Sequence, residues 1–352
     1  MIRRAVKDIA RLAVTLTASA ALWFSSAAFE FSSTAPIERN WPNLGRCMNI
    51  GGALEAPNEG DWGYVVRNED LKRIAEAGFQ VIRLPVKWSA HADDRAPYKI
   101  EPAFLARVDH IIKTANKYGL TVVLDLHHYD EMYANPAAHI DRFTNIWVQL
   151  ARHYAHYPDE KLIFELINEP RDKFSGAIMS NAQNRILSMV RQSNPTRIVI
   201  LSGDEWATTK GLKNLYIPAD PNIMVSVHYY DPFKFTHQGA SWTDTPLPVG
   251  PTWGSDKDIK NLAAYAESLA KWQEKHKVPI YFGEFGVIDN VSIAQRAKWT
   301  AAVRSAMEAV NISWCYFDFA TSFHAFDQRR GIWNPLILDA LVPKPRADQT
   351  TS

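Results

Sequence analysis

Short apolar runs alternate with amphipathic stretches along most of the chain. Cys47–Ile50, Val81–Leu84, Leu120–Leu126, Leu162–Ile167, Arg197–Leu201, Ile223–Val227, Pro279–Phe282 and Ile312–Phe317 are short and mostly apolar. They suit strands buried on both faces of a parallel sheet. Between them, apolar residues recur at helical spacing. Examples are Phe104, Val108, Ile111, Ile112 and Ala115, then Ile140, Phe143, Trp147, Leu150 and Tyr154, and later Leu262, Ala266 and Leu269. A short helix over Asp70–Ala77 stops at Gly78, where a left-handed cap is easy for glycine, and Gly119 ends the helix that follows. Eight strand–helix alternations over about 300 residues predict an α/β fold, a single-domain (β/α)8 (TIM) barrel across residues 41–345. A doubly wound open sheet is the alternative. It would spread the polar strand ends along a line, whereas a barrel gathers them around one mouth.

Residues 1–28 fall outside this pattern. Arg3, Arg4, Lys7 and Arg11 precede the apolar run Leu12–Phe24, and Ser26, Ala27 and Ala28 offer a small-residue cleavage site. That is the pattern of a secretory signal peptide, so the mature protein is expected to be secreted or periplasmic without stable membrane insertion. Residues 29–40 read as a polar connector and 346–352 as a disordered tail.

Charge narrows the functional classes. Lys plus Arg number 39 and Asp plus Glu 38, so no net field is available to attract nucleic acid. Aromatic residues reach 12%, with 12 Trp, a supply that fills cores and can also stack on sugar faces. Cys47 and Cys315 are too few for a disulfide framework or a zinc site. On adjacent strands they are expected as two buried thiols.

The chemistry collects at the carboxyl ends of the strands, where barrels handle ligands. Arg83, His127, His128, Asn168, Glu169, His228, Tyr230 and Glu284 all follow or end apolar runs. Glu169 and Glu284 belong to strands four and seven, on opposite sides of a ring, so both can face its axis. Pro170 cannot continue a central strand and biases Glu169 toward an extended backbone. Two carboxylates facing across a cleft equip a site for glycoside hydrolysis, one protonated and the other ionised. Glu165 shares a face with Glu169 by period two and is expected to be a buried structural carboxylate. His127 and His128 are adjacent, so their side chains diverge, which disfavours a metal pair.

Asn168-Glu169-Pro170 after one strand and Gly283-Glu284-Phe285-Gly286 after another resemble glycoside hydrolase family 5, the cellulase family. His127-His128-Tyr129, His228-Tyr229-Tyr230 and Thr236-His237-Gln238-Gly239-Ala240 with Trp242 are similar to its bacterial endoglucanases, some of which also cut mannan. The resemblance runs from about Arg46 to Leu341. It implies that Glu169 is the general acid/base and Glu284 the nucleophile. It implies that Asn168 binds the sugar 2-hydroxyl, Arg83 and Tyr230 hold the nucleophile ionised, and His228 stands beside the acid/base. Glu55, Pro85, His127, His128, His237, Trp242 and Phe317 fall where the family contacts glucan rings. The implied protein is a monomeric, retaining endo-β-1,4-glucanase with a β-linked polysaccharide substrate, no cofactor and no metal. Action on β-mannan through the same pair is the nearest rival, and a non-catalytic carbohydrate-binding barrel is a more distant one. Two departures stand out. Phe317 replaces a family tryptophan at the subsite floor, and Gly52 replaces an asparagine of the closest members. Asp204-Glu205-Trp206 follows strand five without an assigned role.

Overall fold

A computed structural model describes residues 43–243 and 245–344. The expected signal peptide, connector and tail lie outside the described residues. Eight parallel strands close a barrel in sequence order: β1 (Arg46–Asn49), β2 (Val81–Val86), β3 (Thr121–Leu126), β4 (Leu162–Glu165), β5 (Val199–Ser202), β6 (Ile223–Tyr229), β7 (Ile280–Phe285) and β8 (Ser313–Tyr316). The last strand pairs with the first, Cys47 opposite Cys315. The open-sheet alternative is thereby excluded. Helices Asn68–Glu76, Pro102–Lys117, Pro136–His153, Gly176–Arg191, Asp256–His276 and Ile293–Ala309 supply the outer layer, at the places their apolar spacing predicts. Among the described residues, no helix is long and apolar enough to cross a membrane.

The inside of the barrel is layered because strand side chains alternate. The lower layer takes one residue from each strand: Cys47, Val81, Val123, Ile163, Ile200, Met224, Tyr281 and Cys315. Two positions further along six of the strands stand Asn49, Arg83, Asp125, Glu165, Ser202 and Ser226, all fully buried. A dry floor therefore carries a polar middle layer, and the strand-end residues sit above it. Asn49, Asp125 and Glu165 all bond Arg83, which makes burying their polarity tolerable.

Two expectations need correction. Cys47 and Cys315 are joined as a disulfide, with Cα atoms 4.2 Å apart, and are not free thiols. Both side chains point into a closed barrel, where curvature makes inward Cβ atoms converge more than on a flat sheet. Glu169 is not extended: its φ is +43°. The strand ladder ends at Glu165, and contacts described below hold the following residues in this turn. The sequence pattern also did not reveal a small hairpin, Phe326–Asp327 against Ile332–Trp333, whose Phe326 and Trp333 pack on Phe319.

Candidate active site

Arg83 is the centre of the polar layer. Its Nε donates to Glu165 Oε2 at 2.7 Å, and Nη1 to Glu284 Oε1 at 2.6 Å and Asn49 Oδ1 at 3.1 Å. Its Nη2 reaches Asn168 Oδ1 at 2.9 Å and Asp125 Oδ2 at 3.0 Å. Burial opposes the charge on Arg83, but Asp125, Glu165 and Glu284 outweigh it and hold the guanidinium firmly protonated. A fixed fork of donors suits this role better than a lysine point charge. Glu165 is thus the buried structural carboxylate that its position on β4 predicts.

Glu284 reaches the site through an irregularity in β7. Val227 pairs with Phe282 and His228 with Glu284, so β7 carries an extra residue, Gly283, against β6. The register against β8 shifts in the same stretch. Such a bulge reverses the inward–outward alternation. Phe282 and Phe285 both pack in the outer core, their rings 5.6 Å apart, and Glu284 turns inward to Arg83. A larger residue at Gly283 would force neighbouring side chains to move. A Cβ there would stand 2.7 Å from Ser226 Oγ and 2.9 Å from His228 Nε2.

Above the fork, Tyr230 donates to Glu284 Oε2 at 2.8 Å. The His228 ring bonds Glu169, with Nδ1 2.8 Å from Oε1, and stands 3.6 Å from Glu284 Oε2. One oxygen from each glutamate and a ring nitrogen of His228 lie within 4.8 Å of one another. That spacing could suit a cation, but Arg83 already places a positive charge on Glu284 and His228 Nδ1 is engaged by Glu169. The cluster is arranged for protons.

Burial pushes the Glu169 carboxyl up to about 7, opposed by the positive charges of Arg171 and Arg83. Burial raises Glu284 as well, while Arg83 and the Tyr230 hydroxyl oppose the rise. The His228 imidazole is pushed down by burial, against the pull of Glu284, so it is a neutral neighbour. The Glu169 side chain is 21% exposed and that of Glu284 only 6%. Burial thus favours a proton on Glu169 near neutrality, while Arg83 and Tyr230 donate to Glu284 and favour its charge.

The residues expected to contact sugar divide into two groups. His127 stands beside the site, with Nδ1 2.5 Å from Asp125 Oδ2. Trp242, exposed at 55%, packs with His237 and Phe317 around Phe323. His128 is edge-on to Trp62, ring centroids 5.6 Å apart. Pro85 and Glu55 are buried. Both Glu55 oxygens accept from backbone amides of its own loop, at Gly52 and Ala53, so it braces the loop after β1. At Gly52, φ is +75° and Thr321 Cγ2 fills the space a side chain would need.

Asp125, Phe323 and Trp62 join this surface without having been singled out. For Asp125 a signal existed, since it lies two positions before His127 on the same face of β3. Phe323 and Trp62 sit in loops whose path the periodicity of the strands does not fix.

The family model for cellulase (glycosyl hydrolase family 5) matches residues 48–322. Endoglucanase H of Acetivibrio thermocellus is 34% identical over 256 residues, 73% of this chain and 27% of that protein. Endoglucanase 3 of Fibrobacter succinogenes is 26% identical over 85% of this chain and 53% of its own length. The chain thus spans about a quarter and about half of these two relatives. Among solved structures, Thermotoga maritima Cel5A in complex with cellobiose superposes with a TM-score of 0.83 at 40% identity, covering 85% of this chain and 97% of that one. The same protein has been solved with mannotriose, with the same score and coverage.

Proposed function

The chain belongs to the cellulase family of glycosyl hydrolases, family 5, and on that premise we propose that it is a retaining endo-β-1,4-glucanase. The observation that carries this reading is the pair Glu169 and Glu284, one oxygen of each within 4.8 Å of the other beside His228. Retaining enzymes hold their two carboxyl groups about 5–5.5 Å apart, whereas inverting ones leave about 6.5–9.5 Å for a water.

In the first half-reaction a Glu284 oxygen bonds to the anomeric carbon as the glycosidic C–O bond breaks. The Glu169 proton passes to the departing oxygen. Arg83 and Tyr230 keep Glu284 ionised until attack and accept its loss of charge afterward. In the second half-reaction Glu169, now ionised, takes a proton from water, whose oxygen replaces Glu284 at the anomeric carbon. Asn168, oriented through Oδ1 by Arg83, presents its amide to the sugar 2-hydroxyl. Two relatives named endoglucanases and a cellobiose complex of a 40% identical structure support β-1,4-glucan as the substrate.

β-Mannan is the second reading, supported by the mannotriose complex of that same neighbour. Glucose and mannose differ at the 2-hydroxyl, the group that Asn168 would meet. We also propose export, which the basic-then-apolar start supports. A disulfide between Cys47 and Cys315 fits an oxidising compartment.

The test is a comparison of the parent protein with Glu169→Gln and Glu284→Gln on soluble β-1,4-glucan and β-mannan, with and without a chelator. Each variant should lose about a hundredfold or more of activity, and the chelator should change nothing. Near-normal activity in either variant would remove that residue from the catalytic pair.

A further inference from the structure

Three consecutive backbone carbonyls beyond β4 are each held by a different donor. The Tyr133 hydroxyl donates to the Asn168 carbonyl. Arg171 Nη1 donates to the Glu169 carbonyl at 3.2 Å. The Trp206 amide donates to the Pro170 carbonyl at 3.2 Å. The middle residue has φ of +43°, a left-handed conformation that is unfavourable for a non-glycine residue. Strain of this kind persists only where surrounding contacts over-determine it.

Arg171 is the link between these contacts. Its guanidinium lies over the Tyr133 ring, 4.1 Å from the centroid, and its Nη2 donates to Asp130 Oδ1 at 3.0 Å. Its side chain is only 18% exposed. A flat cation stacked on one ring, paired with one carboxylate and bonded to one carbonyl has little freedom to move.

We propose that Arg171 is a positioning residue for the acid/base, fixing the Glu169 backbone against Tyr133 and setting a permanent positive charge behind its carboxyl. The proposal rests on the assignment of Glu169 made above. Arg171 itself touches neither the scissile bond nor the nucleophile. Its effect passes through the direction of the Glu169 carboxyl and through the field there.

Other charges act on the same carboxyl. Arg83 on β2 favours its ionised form, as Arg171 does, and Glu165 on β4 opposes it. Asp125 on β3, Tyr133, Tyr230 just beyond β6 and Glu284 on β7 also couple to it. His228 on β6 bonds it directly. Asp130, paired with Arg171 from the far side and 59% exposed, offsets part of the arginine's charge. Of the two nearby cations, Arg83 bonds Glu165 and Glu284 directly, which leaves Arg171 as the one whose removal spares the partners of the nucleophile.

The sign of the effect follows. A general acid works while protonated, so kcat/KM declines as pH rises through the Glu169 pKa. Removing the positive charge raises that pKa and moves the alkaline limb upward. Arg171→Met should shift the limb by about half a pH unit. Its kcat/KM on cello-oligosaccharides should fall about tenfold. On dinitrophenyl β-cellobioside, whose leaving group needs no proton, kcat/KM should stay within about twofold. Arg171→Lys should keep the limb of the parent, and Tyr133→Phe should keep the limb while losing cello-oligosaccharide activity. An unshifted limb in Arg171→Met, or equal losses on both substrates, would overturn the proposal. Full activity in Glu169→Gln would instead overturn the acid/base assignment, so the two failures are distinguishable.

Discussion

At the scale of single residues, Arg83 carries the most. Three carboxylates and two amides converge on one fully buried guanidinium. Removing it leaves Asp125, Glu165 and Glu284 buried without their cation, and breaking such a set costs about 3–5 kcal/mol. Arg83→Met should therefore unfold at a lower temperature and be inactive, while Tyr230→Phe, which removes one neutral donor from Glu284, should keep its melting temperature within a few degrees and lose kcat. A calorimetric scan beside a turnover assay separates the two; equal melting temperatures for both variants would contradict the burial account. The Glu169 carboxyl, pushed up to about 7 by burial, sets a further expectation. The acid form is present below that value and lost above it, so kcat/KM should decline on the alkaline side with a midpoint near 7. A pH–rate profile flat from 6 to 9 would contradict it. Most of these residues were legible as polar positions ending apolar runs. Asp125 was less so, because a carboxylate inside an apolar strand looks the same whether it braces or reacts. The conformation of Glu169 was not legible. The following proline argues for extended backbone, and two of the opposing contacts, from Tyr133 and Trp206, come from elements distant in sequence.

At the scale of elements, β7 shows how a local irregularity makes a site. Strict alternation would face Tyr281, Gly283 and Phe285 inward and Glu284 outward. The extra residue at Gly283 reverses this, and a trace of it lies in the sequence. Phe282 and Phe285 are three apart, and both need the outer core, which a regular strand cannot satisfy. Gly283→Ala places a methyl against Ser226 Oγ and His228 Nε2. His228 would be displaced from Glu169, so activity should fall at least tenfold with the far-ultraviolet circular dichroism of the parent. Parent-like turnover in this variant would show that His228 can move without consequence. The order of strands and outer helices was legible because their apolar periods are long and clean. The segments after β5 and β8 were not. Glu205, Trp206 and Ala207 all take positive φ, a turn that no apolar period announces.

At the scale of the molecule, closing the barrel brings the first and last strands together. Cys47 and Cys315 are 268 residues apart in sequence and bonded inside the lower layer. Constraining so long a loop in the unfolded chain stabilises the fold by about 5 kcal/mol in the chain-entropy picture, with measured cases more often about 2–4. The Cys47→Ser, Cys315→Ser double variant should unfold at distinctly lower denaturant concentration, with activity at room temperature preserved. An unchanged midpoint would mean that the bond adds nothing to the folded barrel. This closure also defines the site, since it gathers residues from β2, β3, β4, β6 and β7 around one mouth.

The proposed chemistry is tested most directly by the anomer that first leaves the enzyme. Proton nuclear magnetic resonance of a cello-oligosaccharide digest, recorded before mutarotation, should show the new reducing end appearing as the β-anomer, as two displacements between Glu284 and Glu169 require. First appearance of the α-anomer would mean a single displacement by water and would contradict the paired roles given to these two residues.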